Sequence, residues 1–343
     1  MNQSGKILLA HGGGGQLTSE LISQVILPAI GGQDASSLED AATIDIPDAG
    51  KIIFTTDSYT VEPIEFPGGD IGKLSVCGTI NDLAVCGARP IAISLALVLE
   101  EGFEISLLKR ILTSAGKSAK KAEVSIVTGD TKVIERQGDT AGITVNTAGI
   151  GLPLRQARVG FDRVETGDAI IISGPIGQHG MAVMARRKGL EIDITGSLIS
   201  DCVAIHNLTM KLIESFGAKV KWMRDPTRGG LSATLAELAA ATGRNIEIRE
   251  SEIPVDPTAL AVAEMLGFDL LSVANEGKVV AVVSADVADE AVKLLRKDTL
   301  ASKANVIGEI SKIDDFPLVE LLTRSGGKRI IQMPYGQDLP RIC

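Results

Sequence analysis

Aromatic residues are scarce, at 3% of 343 positions with one Trp, two Tyr and seven Phe. A core for a chain of this length must then be built from Ala, Val, Ile and Leu. Hydrophobic residues are nevertheless 45% of the total, and 37 glycines allow many turns and close backbone approaches. That balance excludes disorder and suits an enzyme of the α/β or α+β kind. An excess of positive charge is also lacking. The formal charge is −9, so nucleic acid is no default partner, although a local basic pocket is not excluded. No long apolar run exists; the longest, residues 91–99, falls far short of a bilayer. The four cysteines, Cys77, Cys86, Cys202 and Cys343, have no metal-type spacing, and the start shows no signal-peptide pattern. These absences read as a cytoplasmic protein with reduced thiols and no membrane partner. The length allows two domains and ample buried core.

What is present begins with an apolar stretch, residues 7–10, that runs into His11-Gly-Gly-Gly-Gly15 and a helix-start pattern from Thr18. A polyglycine loop before a helix either cradles phosphate on backbone N–H groups or serves as a flap. It is not a P-loop, since no Gly-Lys-Ser/Thr follows. Residues 51–58 read as a strand running into a carboxylate, Asp57, and active sites in open sheets gather at such strand ends. Asp70 opens a helix whose apolar positions 71, 74, 76, 80, 83 and 85 fit one face, with Gly87 as its stop. Asn81 and Asp82 lie inside that helix, either as a solvated pair or, between apolar neighbours, as ligands. Residues 91–99 are near-continuously apolar and predict a strand buried on both faces. A helix over 104–122 follows. Residues 125–132 read as a strand ending in Gly129-Asp130-Thr-Lys132, and 141–150 as another.

The character shifts near Pro153. Residues 164–174 read as a turn and a buried strand, and a helix runs from about 177 to 187. Helices are expected at about 199–216 and 230–242. Cys202 and His206, at i and i+4, would share a helix face, as metal ligands or as a packed Cys beside a surface His. Between these helices, Arg224-Asp225-Pro-Thr-Arg-Gly229-Gly230 combines a carboxylate, a Gly pair and a helix start, as a phosphate loop does. Asn275-Glu276-Gly277 precedes a strand at 278–284, then a helix near 286–297, a strand from 306 and a hairpin over 318–332. The last eleven residues, from Met333, hold two prolines around Gly336 and end on Cys343. They predict a semi-stiff arm with one pivot. A free Cys is usually buried and a chain end usually exposed. Cys343 is therefore either a chance terminal residue or a reactive tip.

At Asp57, Asn81-Asp82, Gly129-Asp130-Thr-Lys132 and Arg224 to Gly230 the chain resembles the ATP-dependent aminoimidazole-ribotide synthetase and selenophosphate synthetase superfamily. It is similar, nearly end to end, to one branch: the carbamoyl dehydratases that mature [NiFe]-hydrogenase. The motifs are His11 to Gly15, Thr55-Thr-Asp-Ser-Tyr-Thr-Val61, Phe66-Pro-Gly-Gly-Asp-Ile-Gly-Lys73, Gly129 to Val133 and the terminal Pro340-Arg-Ile-Cys343. A departure is Glu39 before Asp40, where relatives more often carry two aspartates. The selenophosphate branch is disfavoured because the glycine-rich loop holds no Cys.

The resemblance implies an α/β (α+β) fold of two domains. A Gly-rich segment and helix (1–42) precede a dimerising, ATP-binding domain (43–153), an α/β domain (154–310), and a hairpin and tail (311–343). It implies that Cys343 carries an S-carboxamide, which is dehydrated to a thiocyanate that supplies cyanide for the hydrogenase iron. ATP and Mg2+ are the implied cofactors. Asp40, Asp57, Asp82 and Asp225 are the expected metal ligands. Asp57, Asp82, Asp130, Lys132, Asp225, Gly229 and Gly230 are expected to hold the nucleotide. Lys132 would offset charge on the phosphoryl or carbonyl oxygen, Glu276 would act as the base and Arg341 would guide the arm. Implied partners are a second copy, a carbamoyltransferase that loads Cys343 and an iron-carrying scaffold complex. The pairing strands of the dimer would include residues 91–99. Two other readings use the same ATP site without Cys343 chemistry: an amidine-forming ligase acting on a free small molecule, and a nucleotide-gated binding protein.

Overall fold

The structure is a computed structural model and describes residues 15–26, 41–46, 50–188, 198–335 and 342. Glu39, Asp40, Arg341, Cys343 and residues 11–14 of the glycine loop lie outside the described residues. A short helix α1 (Gln16–Leu21) comes first. Strands β1 (Ala42–Ile46) and β2 (Gly50–Tyr59) are followed by a ribbon of β3 (Glu65–Phe66) and β4 (Gly69–Asp70). Helix α2 (Ile71–Val85) leads to β5 (Ala88–Glu100), helix α3 (Ile105–Lys121), β6 (Ser125–Ile134) and β7 (Ile143–Pro153). The first sheet has the order β1-β2-β7-β5-β6 and is antiparallel except between β5 and β6.

The second half supplies β8 (Ala169–Ile172), α4 (Gln178–Arg187), α5 (His206–Phe216), β9 (Val220–Arg224), α6 (Gly230–Thr242) and β10 (Arg244–Arg249). It continues with α7 (Pro257–Leu266), β11 (Val280–Val283), α8 (Ala288–Leu295), β12 (Asn305–Ile313), β13 (Val319–Leu322) and β14 (Lys328–Ile331). Its sheet has the order β14-β13-β10-β12-β8-β11-β9, with only β10 and β13 parallel. Of the two fold classes open at the outset, these mostly antiparallel sheets answer to α+β.

Helix α2 is the wedge between the halves. Asp70 caps it, its carboxylate accepting the N–H groups of Gly72 and Lys73 at 2.8 and 3.0 Å; such a cap contributes about 1 kcal/mol. The helix packs on β2, β5 and β7 and against α3 and α5. Asn81, fully buried, accepts the Ile205 N–H at 2.8 Å and donates to the carbonyls of Val203 and Glu276 at 3.1 and 3.3 Å. The mid-helix amide is thus a clamp on the second half. One apolar cluster runs from Tyr59, Leu74 and Cys77 through Met181 and Trp222 to Ile331.

Two expectations need correction. Strand β5 is hydrogen-bonded along both edges but is not buried on both faces, since Ile91 and Val98 are more than a third exposed. Its apolar run reflects an outward face that is itself apolar. The same double pairing means β5 can meet a second copy only face-on. The helix expected at 199–216 begins at His206, so Cys202 does not share its face. Residues 198–205 stay irregular because their polar groups are taken by remote partners: Ser200 N–H by the Pro67 carbonyl, Ile205 N–H by Asn81 and the Asp201 carboxylate by Lys278. Strands β9 and β10 and helix α7 were not anticipated, although Asp256-Pro257 and Gly267 bracket α7 as cap, first residue and left-handed stop. No helix among the described residues is long and apolar enough to cross a membrane.

Candidate active site

Strand β2 alternates sides as any strand does. Thr55, Asp57 and Tyr59 face α2, while Phe54, Thr56 and Ser58 face outward, as the pairings Phe54 with Ile150 and Asp57 with Thr147 and the burial of Thr55, Tyr59 and Thr147 require. Asp82 lies on the facing side of α2, where its carboxylate accepts the Thr55 hydroxyl at 3.0 Å. Gly78 sits one turn earlier, and a Cβ there would collide with the Tyr59 hydroxyl. From the second half come Asp225, Thr227 and Arg228, in the loop after β9, and Glu276. With Asp57, Tyr59, Gly78 and Asp82 they line a cavity of about 30 Å³. Arg228 stands 4.0 Å from Asp57 across it.

Three aspartates crowd Glu276 in this small space. Glu276, 1% exposed, has its pKa pushed well up by burial first and then by Asp225, Asp201 and Asp57, with Arg228 pulling the other way. The Tyr59 hydroxyl is raised by burial and by Asp57, Asp82 and Glu276. Behind Glu276, its own N–H donates to Asp201 at 3.2 Å, and Asp201 pairs with Lys278 at 2.8 Å, both nearly inaccessible. Burial disfavours the Asp201 charge, but Lys278 outweighs it and holds that carboxyl below its ordinary range. Asn275 accepts the Gly177 N–H at 2.8 Å and donates to the Pro226 carbonyl at 3.1 Å, tying the start of α4 to the Asp225 loop.

The cavity thus gathers Asp57, Asp82, Asp225 and Glu276 from the residues singled out in the sequence. Gly229 and Gly230 do not line it. Both have positive φ, the Gly230 N–H is spent on the Thr227 carbonyl at 2.9 Å, and a Cβ at Gly230 would meet the carbonyls of Leu271 and Val273 at 2.6 Å. They turn the chain sharply against residues 271–273. Asp130 and Lys132 lie elsewhere. The register pairs Ala96 with Asp130 and Val98 with Lys132, which puts both on the outer face of the first sheet, opposite Asp57. There they form an exposed ion pair at 3.1 Å. Among the described residues no three His, Cys, Asp or Glu side chains stand close enough to hold a metal ion by themselves.

The arm is anchored at both described ends. At its root, the Pro334 and Tyr335 carbonyls accept the N–H groups of Gln16 and Leu17 at 2.9 and 3.3 Å. At its tip, Ile342 is buried, with its carbonyl 2.7 Å from His179 Nε2. Sequence reading missed His179, Asp201 and Lys278. No local pattern marks them, because their partners are 163, 75 and 77 residues away.

This geometry meets two matches to known families. Residues 38–152 match the family described as AIR synthase related protein, N-terminal domain, and residues 165–317 match its C-terminal domain. The chain is therefore an AIR-synthase-related protein, with both of that family's domains. The carbamoyl dehydratase HypE of Rhizobium leguminosarum bv. viciae is 42% identical over 340 residues, 99% of this chain and 96% of that one. The carbamoyl dehydratase HypE of Escherichia coli K12 is 40% identical over 341 residues, 98% of this chain and 99% of that one. The chain belongs to the carbamoyl dehydratase HypE family, and is accordingly an enzyme. Among solved structures, a HypE–HypF complex superposes with a TM-score of 0.84 at 41% identity, covering 92% of this chain and 99% of that one. A HypE structure in complex with ATP gives 0.81 at 38% identity, covering 98% and 100%.

Proposed function

We propose that this chain binds ATP and dehydrates an S-carboxamide on its own Cys343 to a thiocyanate, supplying cyanide for the iron of [NiFe]-hydrogenase. The observation that carries the reading is the convergence of Asp57, Asp82, Asp225 and Glu276 on one cavity, with Ile342, next to Cys343 in the sequence, buried nearby. Gly180 links the two: its N–H donates to the Ala274 carbonyl, and Ile342 packs against it, two residues along the chain from Glu276.

Oxide is a very poor leaving group from an amide carbon. Transfer of the γ-phosphoryl to the carboxamide oxygen releases ADP and converts that oxygen into phosphate, a good leaving group. The C–O bond then breaks, phosphate departs, and the two nitrogen protons are lost to leave the C≡N bond. Glu276 is the base for the nitrogen. Aspartates alone repel a triphosphate. Mg2+ usually binds one or two carboxylates together with phosphate oxygens. Asp57, Asp82 and Asp225, which face one cavity without closing on an ion by themselves, fit a cation that arrives with the nucleotide; Asp40 is the fourth candidate. When bound, it offsets phosphate charge during the transfer.

Asp130 and Lys132 serve a second copy of the chain. They share the outer face of the first sheet with Phe54, Val98, Ile150 and Leu152, an exposed apolar set that a homodimer would cover. The partner that loads Cys343 is a carbamoyltransferase, in keeping with a relative solved in complex with HypF. The acceptor of cyanide is an iron-carrying scaffold complex. Intact-mass analysis of the Cys343 peptide through one cycle tests the reading. The expected record is a carbamoyl adduct that loses one water only with ATP. An adduct that persists unchanged through ATP turnover would overturn it.

A further inference from the structure

The ring of His179 is fully buried at the start of α4 and is not among the residues lining the carboxylate cavity. It holds the described tip of the arm. The Ile342 carbonyl, 2.7 Å from Nε2, can only accept, so Nε2 carries the proton. Nδ1 is then an acceptor in the neutral ring, and the Ser200 hydroxyl donates to it at 2.8 Å. The Ser200 oxygen in turn accepts the Cys202 N–H at 3.1 Å, while the Ser200 N–H donates to the Pro67 carbonyl at 2.9 Å. Donors run in one direction from backbone to Ile342, which fixes the tautomer. Burial holds the imidazole below its ordinary range against the opposite pull of Asp201 and the Ile342 carbonyl, which agrees with a neutral ring. Phe66 sets the ring plane, edge to face at 5.3 Å and 88°. Gly180 leaves room beside the Ile342 side chain; a Cβ there would come within 3.1 Å of Ile342 Cδ1 and would collide with Val273 Cγ1 at 2.5 Å.

We propose that His179 is a positioning residue of the dehydratase, its Nε2–H, oriented by Ser200, latching the Ile342 carbonyl and seating the arm while residue 343 reacts. The proposal rests on the reading that Cys343 is the carrier. The latch grips main chain and not sulfur, so it holds the arm alike with a free thiol, a carboxamide or a nitrile at the tip. Its strength is that of one buried hydrogen bond, enough to bias an arm that must also leave.

The test is His179→Phe, which keeps an aromatic ring against Phe66 but has no donor, beside His179→Gln, whose amide can still donate. Alkylation of Cys343 by iodoacetamide, read on its own peptide with ATP present, reports arm position without the reaction. His179→Phe is expected to raise that rate roughly tenfold and to slow single-turnover dehydration by a similar factor, with ATP affinity unchanged. His179→Gln is expected to restore part of both. A wild-type alkylation rate in folded His179→Phe, or a Gln variant no better than Phe, overturns the latch. If the Phe variant does not fold, Ser200→Ala decides: faster alkylation supports the latch and a wild-type rate overturns it. A wild-type Cys343 that never gains a nitrile overturns the reaction proposed above, and the alkylation rate still decides the latch.

Discussion

At the scale of single residues, Glu276 carries a conflict between stability and chemistry. Its folded pKa lies above its unfolded one, so the folded state holds the proton longer. Stability is therefore lost as pH rises from the ordinary carboxylate range toward the folded pKa. Glu276→Gln should abolish dehydration yet raise the thermal midpoint at about pH 8, with the gain shrinking toward about pH 4. A midpoint that moves equally at both pH values would remove the buried carboxyl as its cause. Arg228 pulls that pKa down, so Arg228→Met should move the acid limb of single-turnover dehydration to higher pH. A limb that stays put would show that another group limits the rate. Much at this scale was legible. Asp57, Asp82 and Asp225 each stand in a short motif, and all three reach one cavity. Lys278 and Asp201 were not legible, since a buried ion pair between distant residues has no sequence pattern until the fold joins them.

Among the elements, α2 has the most to lose. Its boundaries could be read from Asp70 and Gly87, because a capping carboxylate and a left-handed stop act locally. Its function could not, since Gly78, Asn81 and Asp82 each face a different neighbour. Gly78→Ala should displace Tyr59 and lower the rate without unfolding the helix, as the alanine itself favours helix. Wild-type turnover would mean that the cavity yields at no cost. The irregular segment 198–205 is the opposite case, a helical pattern overruled by partners outside it. Its anchor is the Lys278–Asp201 pair, almost wholly buried. Removing one member of such a pair costs about 3–5 kcal/mol. Lys278→Met should lower urea stability by that order, most of it at neutral pH, where the Asp201 charge is left unpaired. The pair's contribution fades as pH falls below the carboxylate range, because Asp201 is held low in the folded state.

For the whole molecule, the sheet register decides what one chain can do by itself. Asp57 and Lys132 lie on opposite faces of the same sheet. Asp57, Asp130 and Lys132 were all expected at the nucleotide, since spacing along a sequence does not reveal which face a strand presents. If Lys132 works on a second copy, mixed dimers of Lys132→Ala and Glu276→Gln subunits should regain about half the wild-type activity, although each variant alone is inactive. Mixtures that stay inactive would return Lys132 to a surface role. Ile150→Arg, which puts a charge on the outer apolar face, should yield monomers by sedimentation and lose dehydration with them.

The arm's root on α1 has a logistical consequence. Cys343 lies eight positions beyond Tyr335, so on the proposed carrier role the chain length limits its sulfur to roughly 26–29 Å from that mooring at full stretch. On the function proposed here, a carbamoyl donor and a cyanide recipient must both come within that radius. Two large visitors cannot share so short a leash at once. Loading and unloading are then forced to alternate, and the order of the pathway is kept by tether length before any recognition between the visitors is needed.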